Sequence, residues 1–595
     1  MHGSCWEKPL RHPSRERIEA VLGLHNVIKM IVLNEMKIRR IIVVALIFMV
    51  AAAFGGSPLA AQPAAVKNVA KSVFTLTTFR ADGSLLASSH GVFVSETGEA
   101  VSDLKPFLGA ARAVVIDQKG RQMEVTRMQG INELYDVARF LVDGKTIAAP
   151  LATGLLAKGG KAWLVGYHPK SPEIVETEVK EMEPFMEQYA YYIFGMNAPD
   201  NAIACPFVNE QGEVIGLMQV STTTFDTHAT DVRFIRSLTV GGLAATDANL
   251  RKIGIPTALP TDETQAQLAL MMAGQSGDSL KYDAAITDFL RQFPQRVDGY
   301  EARARWMMTQ GDLAAADKMM NQAIDHVANK DDAHYQFSKI VYDALLVYGV
   351  DNQEWTLDKA QQEIMKAIQV QDLPAYHQML GQILFAKGEY QTAFDLFMKL
   401  HDDAAPNGEL LYQAARCQQM MNAEPMSVVG ILDRAIEETD TLRMMETAPY
   451  FLLRAEMYEQ ADSFRKAVFD YTRYEYLQQG RVGAPFYYIR EQAEVKGKLY
   501  QQALTDIMRA ALLAPDEPAY FAEMASLQLR VNMPDQALRA AERCIELSPD
   551  DSDGYLLLGV AQARMGQKEE GLSNLQKAKE LGNEQADALI EKYSK

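Results

Sequence analysis

The sequence is poor in the residues from which metal sites, disulfide frameworks and nucleic-acid surfaces are built. It has 4 cysteines among 595 residues, too far apart to give the spacing of metal ligands or of a disulfide scaffold. Lysine and arginine number 59 against 77 aspartates and glutamates, which gives a formal net charge of −18. Nucleic acids and anionic membrane surfaces both select basic patches, so neither is expected as the main partner. We predict a protein with no metal and no cofactor.

An apolar run of 14 residues, 41–54, is too short to span a bilayer, because as a helix it covers about 21 Å of a core about 30 Å thick. It follows a positively charged stretch and precedes small residues that suit cleavage before Gln62, which is the order of a secretory signal peptide. We expect translation to begin at Met36, residues 1–35 to be an extension upstream of that start, and residues 36–61 to be the signal peptide. The mature chain is then exported to the periplasm without a membrane span, and an uncleaved anchor stays open as the alternative.

Residues 66–245 contain short runs of alternating apolar and polar residues, separated by turn-forming residues. Examples are the runs at 72–79 and 91–95, each followed by a turn that contains glycine. Many short strands at intervals of about 8–12 residues predict an all-β barrel or sandwich. A polar, proline-containing stretch at 246–264 predicts a linker after this domain.

Residues 265–595 have the period of helices instead, in long segments rich in alanine, leucine, methionine and glutamine. Small residues and prolines recur here at intervals of 34 residues: Ala503, Ala537 and Gly571; Ala510, Cys544 and Ala578; Pro515 and Pro549. Small side chains let two antiparallel helices approach closely, and the prolines fall where a helix must stop. The segment resembles a tetratricopeptide repeat array, which implies a superhelix of about eight helical hairpins with a concave, peptide-binding groove. An array that serves only as a spacer is the alternative.

Three stretches of the β half carry a second resemblance. Residues 91–105 read GVFVSETGEAVSDLK, residues 134–142 read LYDVARFLV, and residues 201–216 read NAIACPFVNEQGEVIG. In order and spacing they resemble the segments of bacterial trypsin-like serine proteases that carry the histidine, the aspartate and the serine of the triad. The resemblance covers residues 66–245 and implies two perpendicular six-stranded barrels. The expected fold is therefore multidomain, a trypsin-like all-β double barrel followed by an all-α tetratricopeptide-repeat superhelix.

The resemblance also assigns positions to the catalytic groups, and most of them hold other residue types. Lys105 occupies the position of the general base, the aspartate is kept as Asp136, and Ile203 occupies the position of the nucleophile. Asn201 replaces the glycine that helps to build the oxyanion hole. Isoleucine has no atom that can attack a carbonyl carbon, and the members of a triad act as a unit. We expect no catalytic residue here and interpret the domain as a pseudoprotease.

Replacement nucleophiles are conceivable at two positions. Lys105 could serve as base for Ser102, three residues away, because Ser–Lys pairs exist. Cys205 lies two residues beyond the lost serine, but the glycine turn that exposes a nucleophile is missing, so we interpret it as a small buried residue. We interpret Lys105 as a solvated lysine or as a salt-bridge partner of Asp136. Three scattered histidines have no second ligand at metal-binding spacing and are expected to be structural or solvated: His90, His168 and His228.

The function predicted from the sequence is noncatalytic binding of polypeptide partners by an exported scaffold protein. A protease fold without its chemistry keeps a cleft that can hold an extended chain by strand addition. The groove of the repeats offers a second site, and two weak sites on one chain give avidity. An active trypsin-like serine endopeptidase with an atypical site is the alternative from the enzyme class. A structural subunit of an envelope assembly overlaps with the first interpretation.

Overall fold

The computed structural model describes residues 62–197, 199–220, 226–351, 353–403, 407–439 and 441–595. The predicted signal peptide at 36–61 and the predicted extension at 1–35 lie outside these residues. The chain divides into two compact units, the first built mainly from strands and the second from helices. Within the described ranges, no helix has both the length and the apolar character needed to cross a bilayer.

The first unit contains twelve described strands, which form two closed antiparallel barrels of six strands each. The first barrel consists of β1 (Val73–Phe79), β2 (Leu85–Phe93), β3 (Glu99–Ser102), β4 (Arg112–Ile116), β5 (Gln122–Asn132) and β6 (Val137–Val142). The second consists of β7 (Lys161–Val165), β8 (Ile174–Phe185), β9 (Tyr189–Phe194), β10 (Pro206–Val208), β11 (Val214–Val220) and β12 (Thr227–Asp231). Helix α1 (Ala64–Val69) precedes β1, and helix α2 (Val232–Ser237) follows β12.

The two barrels have the same strand order. The first runs β1-β2-β3-β6-β5-β4 and closes where β4 pairs with β1. The second runs β7-β8-β9-β12-β11-β10 and closes where β10 pairs with β7. The predicted all-β double barrel, with its trypsin-like architecture, is thereby confirmed.

Strand β1 shows why this sequence closes a barrel. Phe74, Leu76 and Thr78 alternate along it and are fully buried, which is the period-two burial of a strand with one face in a core. Gly91 lies opposite Phe74 on β2, where a Cβ would overlap the Phe74 ring and the carbonyl of Val101. A glycine is required at that position because the ring already fills the space.

The segment from Ala244 to Ala258 belongs to the first unit. Its apolar residues Leu250, Ile253 and Ile255 are buried in the core of the first barrel. Its backbone also bonds to β5: Met128 N–H donates to Pro256 O at 2.9 Å and Ala258 N–H donates to Met128 O at 2.8 Å. Much of the stretch at 246–264 is therefore packed onto the barrel.

The second unit is all-helical, as predicted. Its described helices are α3 (Glu263–Gln275), α4 (Ser279–Gln292), α5 (Val297–Thr309), α6 (Leu313–His326), α7 (Lys330–Leu346), α8 (Leu357–Val370), α9 (Pro374–Ala386), α10 (Tyr390–Asp403), α11 (Gly408–Met420), α12 (Pro425–Glu437), α13 (Ala448–Gln460), α14 (Phe464–Leu477), α15 (Ala484–Lys496), α16 (Tyr500–Leu513), α17 (Pro518–Arg530), α18 (Pro534–Leu547), α19 (Ser552–Arg564), α20 (Lys568–Glu580) and α21 (Ala586–Ser594). Successive helices pack in pairs, such as α15 with α16, α17 with α18 and α19 with α20.

Small residues make these pairs possible. Ala503 and Ala537 are fully buried, and a Cβ on Gly571 would lie 2.8 Å from the carbonyl oxygen of Gly559 on the facing helix. Helices α16 and α18 end two residues before Pro515 and Pro549, because a residue before proline is pushed out of the helical region. The interval of 34 residues therefore corresponds to a repeated helical hairpin.

Candidate functional site

The ion pair between Lys105 and Asp136 is the first feature of the site. Asp136 lies in the loop between β5 and β6 with a φ of +47°, a left-handed conformation that aspartate tolerates better than most residues. Its Oδ1 accepts the backbone N–H groups of Leu104 at 3.2 Å and of Lys105 at 2.9 Å. Its Oδ2 lies 3.0 Å from Nζ of Lys105, whose side chain is 78% exposed. The lysine thus contacts the aspartate as one of the sequence interpretations proposed.

Ile203 occupies a tight turn rather than a strand or helix. The N–H of Cys205 donates to the carbonyl of Ala202 at 3.0 Å, and Ala204 between them has a φ of +60°. With φ −55° and ψ 134° at Ile203, this is the geometry of a type II turn. The N–H of Ala204 donates to Met218 O on β11 at 2.9 Å, so that donor is not directed at a ligand.

The turn buries Cys205 instead of exposing it. The cysteine has no exposed surface and packs in the core of the second barrel. Burial raises the pKa of its thiol to about 12. Since a thiolate is the nucleophilic form, the group is neutral near pH 7 and inaccessible to a substrate. Its geometry fits the prediction of a small buried residue.

His90 on β2 connects the position of Ile203 with the first barrel. Its ring is half-buried, lies 5.9 Å from the ring of Tyr167, and faces the backbone carbonyl of Ile203. Burial lowers the pKa of His90, and the Ile203 carbonyl opposes that effect. Nδ1 of the ring has no hydrogen-bond partner among the described residues.

Asp103 is a buried carboxyl group that sequence reasoning missed. Its Oδ1 accepts hydrogen bonds from Ser89 Oγ at 2.6 Å and from Ser102 Oγ at 3.0 Å. Burial raises the pKa of Asp103 to about 6, and the nearby negative charge of Asp136 adds to the effect. Ser102 is fully buried and its hydroxyl also lies within hydrogen-bond distance of the carbonyl of His90. This arrangement holds Ser102 away from any substrate.

The structure therefore brings some of the predicted residues together and separates others. Lys105 and Asp136 form one pair, whereas Ile203 contacts the second-barrel core and faces His90. Asn201 is exposed on a short 3₁₀ turn before Ile203. Among the missed residues, Asp103 had a signal in the sequence, a charged residue directly after the apolar run of β3.

Aromatic side chains join the two barrels beside Asp136. The ring of Tyr135 stacks on Phe185, at the tip of the β8–β9 hairpin, with centroids 4.5 Å apart, and meets Phe234 edge-on at 5.3 Å. Two large apolar residues next to this cluster face solvent, Leu134 with 83% and Met186 with 63% of their surface exposed. The surface beside the ion pair is thus apolar.

No family model matches the chain, and no curated protein matches it. Among the described residues, no group of three or more histidine, cysteine, aspartate or glutamate side chains has the arrangement needed to hold a metal ion. The function is therefore argued from the geometry of the site alone.

Proposed function

We propose that this protein binds polypeptides without cleaving them. The observation that carries the proposal is the occupancy of the three triad positions: an ion-paired lysine, an aspartate that accepts backbone N–H groups, and an isoleucine. Acyl transfer needs a nucleophile, a base within hydrogen-bond reach and donors aimed at the developing oxyanion. The buried thiol of Cys205 and the engaged hydroxyl of Ser102 do not replace the nucleophile.

The polypeptide would lie along the apolar surface beside Asp136. Leu134 and Met186 flank the Tyr135–Phe185 stack and would contact apolar side chains of an extended segment. Solvent-exposed apolar residues that lie close together on a surface favour such contacts, because their burial is favourable. We expect the partner segment to carry apolar residues.

The helical unit would supply a second site. We propose that its hairpins form a tetratricopeptide repeat array, supported by the interval of 34 residues and by the buried small residues Ala503, Ala537 and Gly571. Hairpins that cannot bury their apolar faces alone stack into an extended surface. Two sites on one chain increase the effective concentration of the second binding event.

We further propose that the protein acts after export, in the periplasm. This proposal rests on the order of charged, apolar and small residues at 36–61. Amino-terminal sequencing of the protein from the periplasmic fraction tests it. We expect the mature chain to begin at Gln62, and a start within residues 1–35 would contradict the assignment.

The first experiment concerns catalysis. Protein beginning at Gln62 is incubated with a fluorophosphonate serine probe, with a thiol-reactive probe and, separately, with casein. We expect no stoichiometric serine labelling and no cleavage. Cleavage that disappears in Ser102→Ala or in Cys205→Ala would show that the chain is an atypical endopeptidase and that the proposal is wrong.

The second experiment concerns binding. A fluorescein-labelled, reduced and carboxymethylated α-lactalbumin serves as an extended probe, and its anisotropy is measured against protein concentration. We expect Leu134→Asp and Met186→Asp to weaken binding about tenfold each, since burial of such a side chain is worth about 1.5–3 kcal/mol. Leu85→Asp, an exposed leucine at the other end of β2 from His90, is the matched control and leaves binding unchanged. Equal affinity for all four proteins would exclude this surface as the site.

A further inference from the structure

Two consecutive helical hairpins of the second unit enclose a cavity of about 450 Å³ at their turns. The turn between α13 and α14 contributes one wall, and the end of α15 with the turn that follows contributes the other. Four of the residues that line the cavity are cationic, in a chain whose formal net charge is −18: Arg465, Lys466, Lys496 and Lys498. Positive charge is therefore concentrated at this place against the sign of the protein as a whole.

The cations are held in position without being neutralised. Arg465 Nε donates to the carbonyl of Gly497 at 3.2 Å, which ties the guanidinium to the next hairpin. The ammonium groups of Lys466 and Lys496 lie over aromatic rings, 5.2 Å from the centroid of Tyr458 and 5.5 Å from that of Phe464. Carbonyls and aromatic faces orient a cation but do not cancel its charge as a carboxylate would.

None of these four side chains has an ion-pair partner among the described residues, whereas most of the arginines of the helical unit do. Asp462 lines the cavity, and Glu459 is near enough for Lys496 to affect its ionisation. Four cations against these two acids leave a net positive charge.

The start of α14 adds to this field. Ser463 is the N-cap residue, but its side chain makes no capping hydrogen bond and lies 3.3 Å from the carbonyl of Ala461 instead. The amino end of a helix carries a partial positive charge and backbone N–H groups that favour an anion. Ser463 and Phe464 both line the cavity, so the helix end faces the same space as the cations.

We propose that this cavity binds a small ligand with two or more phosphate groups. Its volume exceeds what a single phosphate fills and lies in the range of small-molecule sites. Lysines at several points around the wall suit a ligand whose negative charge is distributed, because each ammonium acts as a point charge toward phosphate. The site lies outside the β barrels and does not depend on the proposed polypeptide binding.

Isothermal titration of the protein from Gln62 onward with pyrophosphate, in a buffer free of phosphate, tests the proposal. We expect saturable binding that weakens at least about tenfold in the Lys466→Ala/Lys496→Ala double variant, since a hydrogen bond to a charged group contributes about 1.5–3 kcal/mol. Lys399→Ala, an exposed lysine on α10, is the matched control and binds like the unaltered protein. Both variants should keep the circular dichroism melting curve, because their lysines are exposed.

Two further arms separate the source of the phosphates from general charge attraction. Binding of tripolyphosphate together with no sedimentation on phosphatidylglycerol vesicles identifies a free ligand, and lysine-dependent sedimentation on the vesicles identifies a lipid headgroup. Absence of saturation by pyrophosphate, or equal affinity of the double variant and the control, would overturn the proposal. So would a response to sulfate at matched ionic strength that equals the response to pyrophosphate.

Discussion

The carboxylate of Asp136 holds both the backbone and the side chain of Lys105, accepting the N–H at 2.9 Å with Oδ1 and pairing with Nζ at 3.0 Å through Oδ2. The backbone contact does not depend on which side chain stands at position 105. The aspartate therefore has a structural role, fixing the turn after β3 against the loop before β6, whether or not a histidine is present. Its left-handed φ of +47° fits that role, because only a few residue types tolerate it.

We expect Asp136→Ala to destabilise the first barrel more than Lys105→Ala. The alanine variant leaves two backbone N–H groups without their carboxylate acceptor and places a Cβ-bearing residue in a strained conformation, for a cost of about 2 kcal/mol. Loss of the exposed lysine costs less than about 1 kcal/mol. Hydrogen exchange of the amides of β5 and β6, measured by mass spectrometry, resolves this unit from the helices.

Asp136→Asn is the control for this comparison, because asparagine keeps an acceptor oxygen and tolerates a positive φ. We expect its hydrogen exchange to resemble that of Lys105→Ala. If Asp136→Ala exchanges no faster than Lys105→Ala, the backbone contacts do not hold the loop and the structural role of the aspartate is wrong.

The thiols provide a second test. Burial raises the pKa of Cys205, Cys417 and Cys544 to about 12 each, and all three are inaccessible in the folded chain. We expect protein beginning at Gln62 to show no labelling by Ellman's reagent at pH 8 within minutes, and three labelled thiols in guanidinium chloride. Ser84→Cys, in an exposed turn, is the positive control. Rapid labelling that Cys205→Ala abolishes would reveal a reactive thiol at the position we describe as buried.

The fold was accessible from the sequence because its signals repeat along the chain. Alternation and glycine turns recur through residues 66–245, and small residues recur every 34 positions in the last hairpins. The site was accessible only in part. Asp136 and Lys105 follow from the matched segments, but no local pattern shows that the carboxyl of Asp103 is buried between Ser89 and Ser102. Such a contact depends on how strands distant in the sequence meet.

A second repeat was missed for a related reason. Arg454 pairs with Asp470, and Arg490 pairs with Asp506, in equivalent places of two consecutive hairpins. These pairs are 36 residues apart, not 34, so a search at the shorter interval does not align them. A buried charged pair is also invisible to an analysis that assigns charges to the surface.

We expect Arg490→Ala to destabilise the helical unit by about 3–5 kcal/mol, because it leaves a buried carboxylate without its partner. Arg490 makes two bonds to Asp506, at 2.5 Å and 3.0 Å, and a third to Glu475 at 2.7 Å. Urea unfolding followed by circular dichroism at 222 nm measures the loss. The double variant Arg490→Met/Asp506→Leu should recover most of it, since an apolar pair needs no charge partner.

Arg539→Ala is the matched control for that experiment, an exposed arginine whose distance to Asp535 is 3.8 Å. We expect it to change the urea midpoint little, as surface pairs contribute little. A loss for Arg490→Ala no larger than for Arg539→Ala would show that the buried pair is not held as described.

Two glutamates of α15 should make the stability of the helical unit fall as pH rises. Glu491 and Glu494 are buried, and Glu491 Oε1 and Glu494 Oε2 have no hydrogen-bond partner in the described part of the chain. Burial, with neighbouring carboxyl groups that include Glu523 for Glu491 and Asp506 for Glu494, raises the pKa of each to about 8. An unfolded glutamate titrates near pH 4.3, so the folded chain binds more protons between these values.

The sign of the effect follows from that difference in proton binding. A carboxyl group whose pKa is raised on folding contributes its full stability below the unfolded pKa and loses it as pH rises toward the folded pKa. We therefore expect the urea midpoint at 222 nm to fall from pH 5 to pH 8 and to level off above the folded pKa. Glu491→Gln and Glu494→Gln should each reduce this fall, matching the unaltered protein at pH 5 and exceeding it at pH 8. Glu580→Gln, an exposed glutamate of α20, should keep the original slope. A slope that is the same in all four proteins would mean that neither buried carboxyl group is neutral in the folded chain at pH 5–8.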